Sequence, residues 1–154
     1  MQKKSAGLLM YRRTAGMLEV LLVHPGGPYW ANKDMESWSI PKGEYLEAEA
    51  PLDAAKREFF EETGFPWREP LIPLGTHRQA SGKLVTAWAF EGNCDPAALV
   101  SNTFEMEWPP RSGRIKSFPE ADRAAWFNLT EAKKRIHRGQ INFLEELEGM
   151  GAAI

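Results

Sequence analysis

Long apolar runs are missing from this 154-residue chain, and no stretch approaches the roughly 20 residues that a helix needs to cross a bilayer. No membrane partner is expected. Cysteine is nearly absent: Cys94 alone cannot close an internal disulfide, and without a second cysteine or nearby histidine it builds no zinc site. It reads as a structural residue. Strong charge of one sign is also lacking, since 19 Lys and Arg face 21 Asp and Glu for a formal net charge of -2. That balance argues against a general nucleic-acid surface, which is usually strongly basic, and any phosphate binding should be local. The start of the chain lacks the apolar run and small-residue cleavage site of a secretory signal, so a cytoplasmic location is expected. Histidine is sparse too, and the isolated His24, His77 and His137 suit core or surface roles better than catalysis.

What is present suffices for one hydrophobic core. With 43% hydrophobic and 26% charged residues, the whole chain, 1–154, is expected to form a single domain. Two β-rich stretches, residues 7–11 and 18–24, flank a small-residue turn at 12–16 and predict a hairpin. A Pro/Gly-rich break at 25–28 opens a loop carrying Tyr29, Trp30 and Trp38, aromatics expected mainly to anchor it to the core. Strands are predicted at 71–78, 83–91, 103–108 and 124–127, with a loop at 108–114. From Thr130, a plausible N-cap, the chain reads as helical, anchored by Ile136, Ile141, Leu144 and Leu147. Strands on both sides of a central helix, closed by a C-terminal helix, predict an α/β fold with a sheet between helices.

That central helix is the clearest feature. Residues 51–63 are rich in helix formers, begin with a proline whose missing N–H is no loss at that position, and stop at Gly64, a typical residue just past a helix end. On a helical wheel Glu58, Glu61 and Glu62 fall within an arc of roughly 100°, because i, i+3 and i+4 share a face. Leu52, Ala55 and Phe59 form a separate apolar stripe. The helix is worse off for its carboxylates. Each like-charged pair costs about 0.2–0.5 kcal/mol, and acids near the C-terminal end oppose the macrodipole. Arg57, at i−4 from Glu61, offsets part of this, but one cation cannot neutralise three anions. A divalent cation can, and an all-oxygen donor set selects Mg²⁺, with Mn²⁺ as a substitute, over zinc. An acidic helix face standing alone is ordinarily just solvated; this one does not stand alone.

Gly43, five residues, Glu49, seven residues, Arg57-Glu58-Phe59, one residue, Glu61-Glu62, one residue, Gly64-Phe65: this spacing resembles the signature of the Nudix hydrolases at every specified position. The resemblance implies a Nudix fold, a mixed β-sheet sandwiched between α-helices. It also implies hydrolysis of a phosphoanhydride bond in a nucleotide-like substrate with the help of Mg²⁺. Glu61 and Glu62 would be metal ligands, Glu58 a ligand or general base, and the Lys42 carbonyl a further ligand. Gly43 would permit the tight loop, and Glu49 and Arg57 would be a structural pair. Many relatives add a carboxylate shortly before a tryptophan-containing strand; Glu120, six residues before Trp126, fits, with Glu105, Glu107 and Asp122 as competitors.

Trp38-Ser39-Ile40-Pro41-Lys42-Gly43 is similar to the approach to this signature in dinucleoside polyphosphate hydrolases, and nucleoside triphosphate pyrophosphohydrolases carry similar segments. Both substrate classes stay open, as does a monomeric or homodimeric state. Lys42, Arg78, Arg111, Arg114 and Lys116 are candidates for phosphate contacts, of which Lys42 alone has positional support. Two rivals are a nucleotide-sensing Nudix module without catalysis, disfavoured by the intact Glu58, Glu61 and Glu62, and a Nudix enzyme for a non-nucleotide diphosphate.

Overall fold

Strand β1 (Lys4–Thr14) alternates its side chains between two buried faces. Leu8 and Met10 point to one side, Leu9 and Tyr11 to the other, as a period of two requires. β2 (Met17–Pro25) follows after a two-residue turn at Ala15-Gly16, both at positive φ, a geometry whose twist matches that of paired strands. The remaining elements, in chain order, are β3 (Lys42–Glu44), α1 (Pro51–Thr63), β4 (Ile72–Arg78), β5 (Leu84–Glu91), β6 (Thr103–Glu107), β7 (Ile115–Pro119), β8 (Ala121–Asn128), α2 (Leu129–Arg135) and α3 (Ile141–Met150). These come from a computed structural model, which describes residues 3–151 and 154.

Five strands run in the order β4-β5-β1-β2-β8, and β3 joins β1. The sheet is mixed: β1 lies parallel to β5 and antiparallel to β2 and β3. β3 pairs with the start of β1 through Ser5–Gly7, whereas β2 pairs with its end through Tyr11–Thr14 and then diverges to run beside β8. Residues 39–42 bridge the gap. Ser39 exchanges backbone hydrogen bonds with Val23 of β2 at 2.9 Å, and the Leu8 amide of β1 donates to Pro41 at 3.2 Å. The start of β3, which carries Lys42 and Gly43, is thereby held at the split in the sheet.

Helix α1 covers one face, burying Ala54, Ala55 and Phe59 against Leu8, Met10, Leu21 and Phe90. The other face packs α2 and α3 through Ala132, Phe143, Leu144 and Leu147 against Leu9, Val20, Leu22 and Val85. This is the α/β sandwich expected from the sequence. α1 spans the predicted residues, and Gly64, at φ 74°, ends it in the left-handed conformation that glycine adopts without a Cβ penalty.

Several expectations need correction. Neither β3 nor β7 was predicted: the segment ending at Lys42-Gly43 was expected to be loop but pairs with β1, and β7 pairs with β6 to form a separate two-stranded sheet. β8 starts at Ala121, three residues before the predicted 124, and the strands of the first hairpin run on through Arg12–Thr14. The C-terminal helix is two helices. Asn128, whose side chain accepts from the Glu131 amide at 2.8 Å, caps α2 in place of Thr130, and Ile136 leaves the helix to bridge Trp38.

Candidate functional site

Backbone geometry sets the carboxylates of α1 against the loop between β2 and β3. The Lys42 amide donates to Glu62 Oε2 at 2.8 Å, fixing the end of α1 to the Pro41-Lys42-Gly43 turn. Gly43 leaves room for the Glu58 carboxylate: a Cβ there would lie 1.9 Å from Glu58 Oε1 and would displace it. Arg57 is the hub of the acidic face. Its Nε and Nη2 donate to the two oxygens of Glu49, each at 2.9 Å, and its Nη1 donates to Glu58 at 3.1 Å and Glu61 at 3.2 Å. This fork holds the Glu49 carboxyl below its ordinary range and raises Arg57 above its own.

Glu62 is partly buried. Burial pushes its pKa up to about 8, against the pull of Lys42, and the nearby Glu58 and Glu120 add to the rise. Glu58 is raised in the same direction, first by burial and then by Glu61 and Glu120, with Arg57 opposing. The Lys42 ammonium is lowered, chiefly by burial and secondarily by Lys83. Negative charge therefore exceeds what the surrounding protein can stabilise.

Glu120 reaches this neighbourhood through a relay of main-chain bonds. The Asn102 amide donates to Glu61 O, the Glu120 amide to Asn102 O, each at 2.8 Å, and the Gly26 amide to Glu120 O at 3.0 Å. The same loop satisfies the end of α1, where Val100 N donates to Thr63 O at 2.9 Å. Lys42, Glu62 and Glu120 line one cavity of about 300 Å³ together with Ser37, Ser39 and His137. Its remaining wall includes Trp30, Gln79 and Gln140.

Of the residues singled out from the sequence, Glu58, Glu61 and Glu62 share the α1 face, and Lys42, Gly43 and Glu120 meet it. Arg78 does not line this cavity; it is exposed at the end of β4, and the next residue, Gln79, turns inward. Arg111, Arg114 and Lys116 are exposed on the β6–β7 hairpin. Among the aromatics, Trp38 is buried edge-on against Phe127 and His24, Trp30 lines the cavity, and Tyr29 is exposed against Trp108. His24 is fully buried and bonded to Asp122 Oδ1 at 2.9 Å. Gln140, missed in the sequence, is buried; its Oε1 accepts from Ile40 N at 2.9 Å and its Nε2 donates to Ser39 Oγ at 3.0 Å. No spacing rule announces a contact between residues a hundred positions apart.

The donor set suits a hard divalent cation: carboxylates and a backbone carbonyl, with Glu62 and Glu58 sharing charge that burial disfavours. Among the described residues, no three His, Cys, Asp or Glu side chains are already clustered as a metal site. Glu58 and Glu61 are instead drawn to Arg57.

A mixed sheet between helices, with a carboxylate-bearing helix at a glycine loop, defines a small α/β class. The NUDIX domain family model matches residues 1–147, and the chain belongs to that family. The chain is 29% identical over 107 residues to an RNA pyrophosphohydrolase of Bartonella bacilliformis, covering 60% of this chain and 58% of that protein. It is 36% identical over 67 residues to one of Bartonella henselae, covering 36% and 37%. The matches thus span less than two thirds of these relatives' length. Among solved structures, an Ap4A hydrolase binary complex of C. elegans matches with a TM-score of 0.66 at 25% identity over 99% of both chains. The NUDIX domain of Shewanella oneidensis NrtR, complexed with ADP ribose, matches in fold with a TM-score of 0.67 at 15% identity, covering 97% of this chain and 88% of that one. No helix among the described residues is long and apolar enough to cross a membrane.

Proposed function

We propose that the protein is a Mg²⁺-dependent pyrophosphohydrolase that cleaves a phosphoanhydride bond in a nucleoside polyphosphate, a nucleoside triphosphate or a dinucleoside tetraphosphate. The observation that carries this reading is the Glu62 carboxyl, bonded to the Lys42 amide in a cavity that Lys42 and Glu120 also line, with Glu58 nearby. Glu58, Glu61 and Glu62, the Lys42 carbonyl and Glu120 are the groups that would hold the cation, for which Mn²⁺ is a substitute. When bound, it supplies screening of polyphosphate charge and acidification of the attacking water.

The chain's own residues do the rest. Arg57, pinned by Glu49, orients the acidic face and keeps Glu58 and Glu61 on one side of α1. We assign proton acceptance from the attacking water to Glu58, whose raised affinity for a proton suits a general base. The Lys42 ammonium, which lines the same cavity as Glu62 and Glu120, binds a substrate phosphate. The substrate is a small molecule, handled in the cytoplasm by a monomer or homodimer.

The names borne by the Bartonella and C. elegans proteins add the 5′-triphosphate end of RNA and Ap4A to the substrates to test. Release of phosphate, pyrophosphate or nucleotide is measured with Mg²⁺ on nucleoside triphosphates, dinucleoside tetraphosphates, 5′-triphosphorylated RNA and nucleotide sugars, with EDTA as control. Metal-dependent turnover of one polyphosphate class is expected. Turnover of none, with nucleotide still bound, would convert the reading to that of a sensing module.

A further inference from the structure

The β6–β7 hairpin stands apart from the main sheet, and its two sides differ. In the register of the pair, Phe104 lies opposite Phe118 and Met106 opposite Lys116, and at the turn the Trp108 amide donates to Arg114 O at 2.9 Å. Side chains alternate between faces, so these six residues share one side and Glu105 and Glu107 lie on the other. Phe104, Met106, Trp108 and Phe118 are half-buried. Phe104 lies against Gly27 of the loop after β2, and Trp108 meets Tyr29 of the same loop edge-on at 5.3 Å. That loop is fixed in turn: the Gly26 amide donates to Glu120 O at 3.0 Å, and a Cβ on Gly26 would lie 1.9 Å from Pro119 O.

The cations of this hairpin are unpaired. Arg111, Arg114 and Lys116 are exposed, and among the described residues none of their side chains has an ion-pair partner. Elsewhere the protein matches its arginines, Arg12 with Glu19, Arg57 with Glu49 and Arg135 with Glu131. The hairpin's own Glu107 is committed to shaping the turn. Its two oxygens accept from the Arg111 and Gly113 amides, each at 3.0 Å, and Ser112 N donates to Pro109 O at 3.1 Å, which holds Arg111 at a φ of 62°. The tip is therefore a defined turn that displays positive charge beside aromatic rings, of which Tyr29 is 58% exposed. A single nucleic-acid strand matches both features: its phosphates take the cations, and its unpaired bases offer flat faces that stack on the rings. A duplex keeps its bases stacked inside the helix, and an acidic peptide has carboxylates but no bases, so neither makes use of the Tyr29 ring.

We infer that the cationic and aromatic side of the β6–β7 hairpin, with its tip and Tyr29, binds single-stranded nucleic acid, Arg111, Arg114 and Lys116 taking phosphates and Tyr29 a base. With three such cations in a chain of net charge -2, the surface is local and its affinity modest, unlike that of a general nucleic-acid-binding protein. It adds a partner to the small-molecule site at α1 and is independent of the hydrolase reading, which concerns the carboxylates there.

The probe is a 5′-hydroxyl oligoribonucleotide of mixed sequence, on the order of ten nucleotides and labelled at its 3′ end, titrated with the full chain in EDTA and followed by fluorescence anisotropy. It carries no polyphosphate, so it reads the hairpin and not the α1 site. Binding should be measurable at about 50 mM salt and should weaken with a slope of about −2 in log K against log salt, the value for three phosphate contacts on a single strand. Arg111→Ala/Arg114→Ala/Lys116→Ala should lower affinity at least about tenfold and flatten that slope, with Tm unchanged. Arg78→Ala/Lys134→Ala, which removes two exposed cations elsewhere, should change affinity by less than about twofold. Tyr29→Ala should weaken binding about fivefold and Tyr29→Phe should restore it, because the ring and not its hydroxyl does the stacking. No binding, equal losses in the two charge variants, or a duplex of the same sequence bound as tightly as the single strand would overturn the inference. Polyglutamate bound as tightly as the oligonucleotide, with Tyr29→Ala without effect, would overturn it in favour of an acidic protein partner. Should the triple variant fail to fold, Arg114→Ala and Lys116→Ala singly, each expected to reduce the slope by about 0.7, decide in its place.

Discussion

Helices α1 and α2 cover opposite faces of one sheet, yet they handle charge in opposite ways. α2 places Glu131 in its first turn and Lys133, Lys134 and Arg135 in its last, with each end complementing the macrodipole. Its charges are also matched: Arg135 bonds Glu131 at 2.8 Å and Asp34 at 2.6 Å, and Lys133 bonds Glu148 at 2.6 Å. α1 has no base in its last turn and carries Glu61 and Glu62 there instead, with Glu58 a turn earlier; Glu58 and Glu61 share one arginine, and Glu62 is held by the Lys42 amide. One helix is arranged for stability. The other gives up stability to concentrate negative oxygens where a cation and a polyphosphate could share them, and substitutions in α1 and α2 should differ accordingly.

The sharpest break is Glu62→Gln. A neutral amide is a poor ligand for a hard cation, so kcat in Mg²⁺ should fall by roughly two to three orders of magnitude. The fold should survive, because an amide oxygen can still accept from Lys42 N. Without metal the variant should melt higher than wild type at neutral pH, on the order of 3 kcal/mol or less, since it no longer holds a carboxyl that resists ionisation. Steady-state kinetics with thermal melts in EDTA tests both halves. A variant of normal turnover, or one less stable without metal, breaks the contrast with α2.

Gly43→Ala comes next. The added methyl meets the Glu58 carboxylate at distances of 1.9–2.3 Å, well inside contact, so either the loop or Glu58 must move. Activity should fall by about one to two orders of magnitude, because an ångström-scale displacement of a catalytic group is enough for that. Circular dichroism should stay native, since the clash is with a side chain of the acidic face and not with the core. An activity within twofold of wild type would show that Glu58 need not sit against the loop.

These two residues also mark how far the chain could be read in advance. α1, its Gly64 stop and its two faces were visible because periodicity, capping and a 23-residue spacing pattern lie within one local stretch. β7 escaped because Ile115-Lys116-Ser117-Phe118-Pro119 has little apolar alternation and is mostly exposed, its strand character coming from its pairing with β6. The break at Ile136 escaped for a related reason: its buried contact with Trp38 outweighs a sequence that would otherwise continue the helix. In the candidate site, spacing placed Glu58, Glu61 and Glu62 on one helix face, the family resemblance pointed to Lys42, and Glu120 was only one of four rivals. Ser37, Gln79 and Gln140 carried no signal, since a serine or glutamine in a polar stretch looks the same whether or not a distant segment closes a cavity around it.

The pH dependence of metal-free stability gives a third, smaller contrast. Glu62 in the fold has a pKa raised to about 8 from an ordinary 4.5, so the native state holds the proton more tightly than the unfolded chain. Stability attributable to this group is therefore full below about pH 4.5 and is lost as pH rises toward about 8. In EDTA the protein should lose stability over this window, and Glu62→Gln should flatten the slope. Mg²⁺ should raise Tm most at the alkaline end, where the carboxylate is free to ligate. A metal-free Tm that rises steadily from pH 5 to 8, identically in both proteins, would mean that Glu62 ionises without penalty.

The smallest effect belongs to the stabilising helix. Asn128 caps α2 through its side-chain bond to the Glu131 amide, and removing such a cap costs about 1 kcal/mol. Asn128→Ala should therefore lower stability by that amount, with and without metal, and leave kcat and the metal requirement unchanged, because α2 contributes packing beneath the sheet and none of the carboxylates. Chemical denaturation in EDTA and in Mg²⁺ reads the first expectation, and turnover the second. If Asn128→Ala instead altered the metal requirement as Glu62→Gln does, the two helices would not be divided between stability and chemistry, and charge matching in α2 would need a functional explanation of its own.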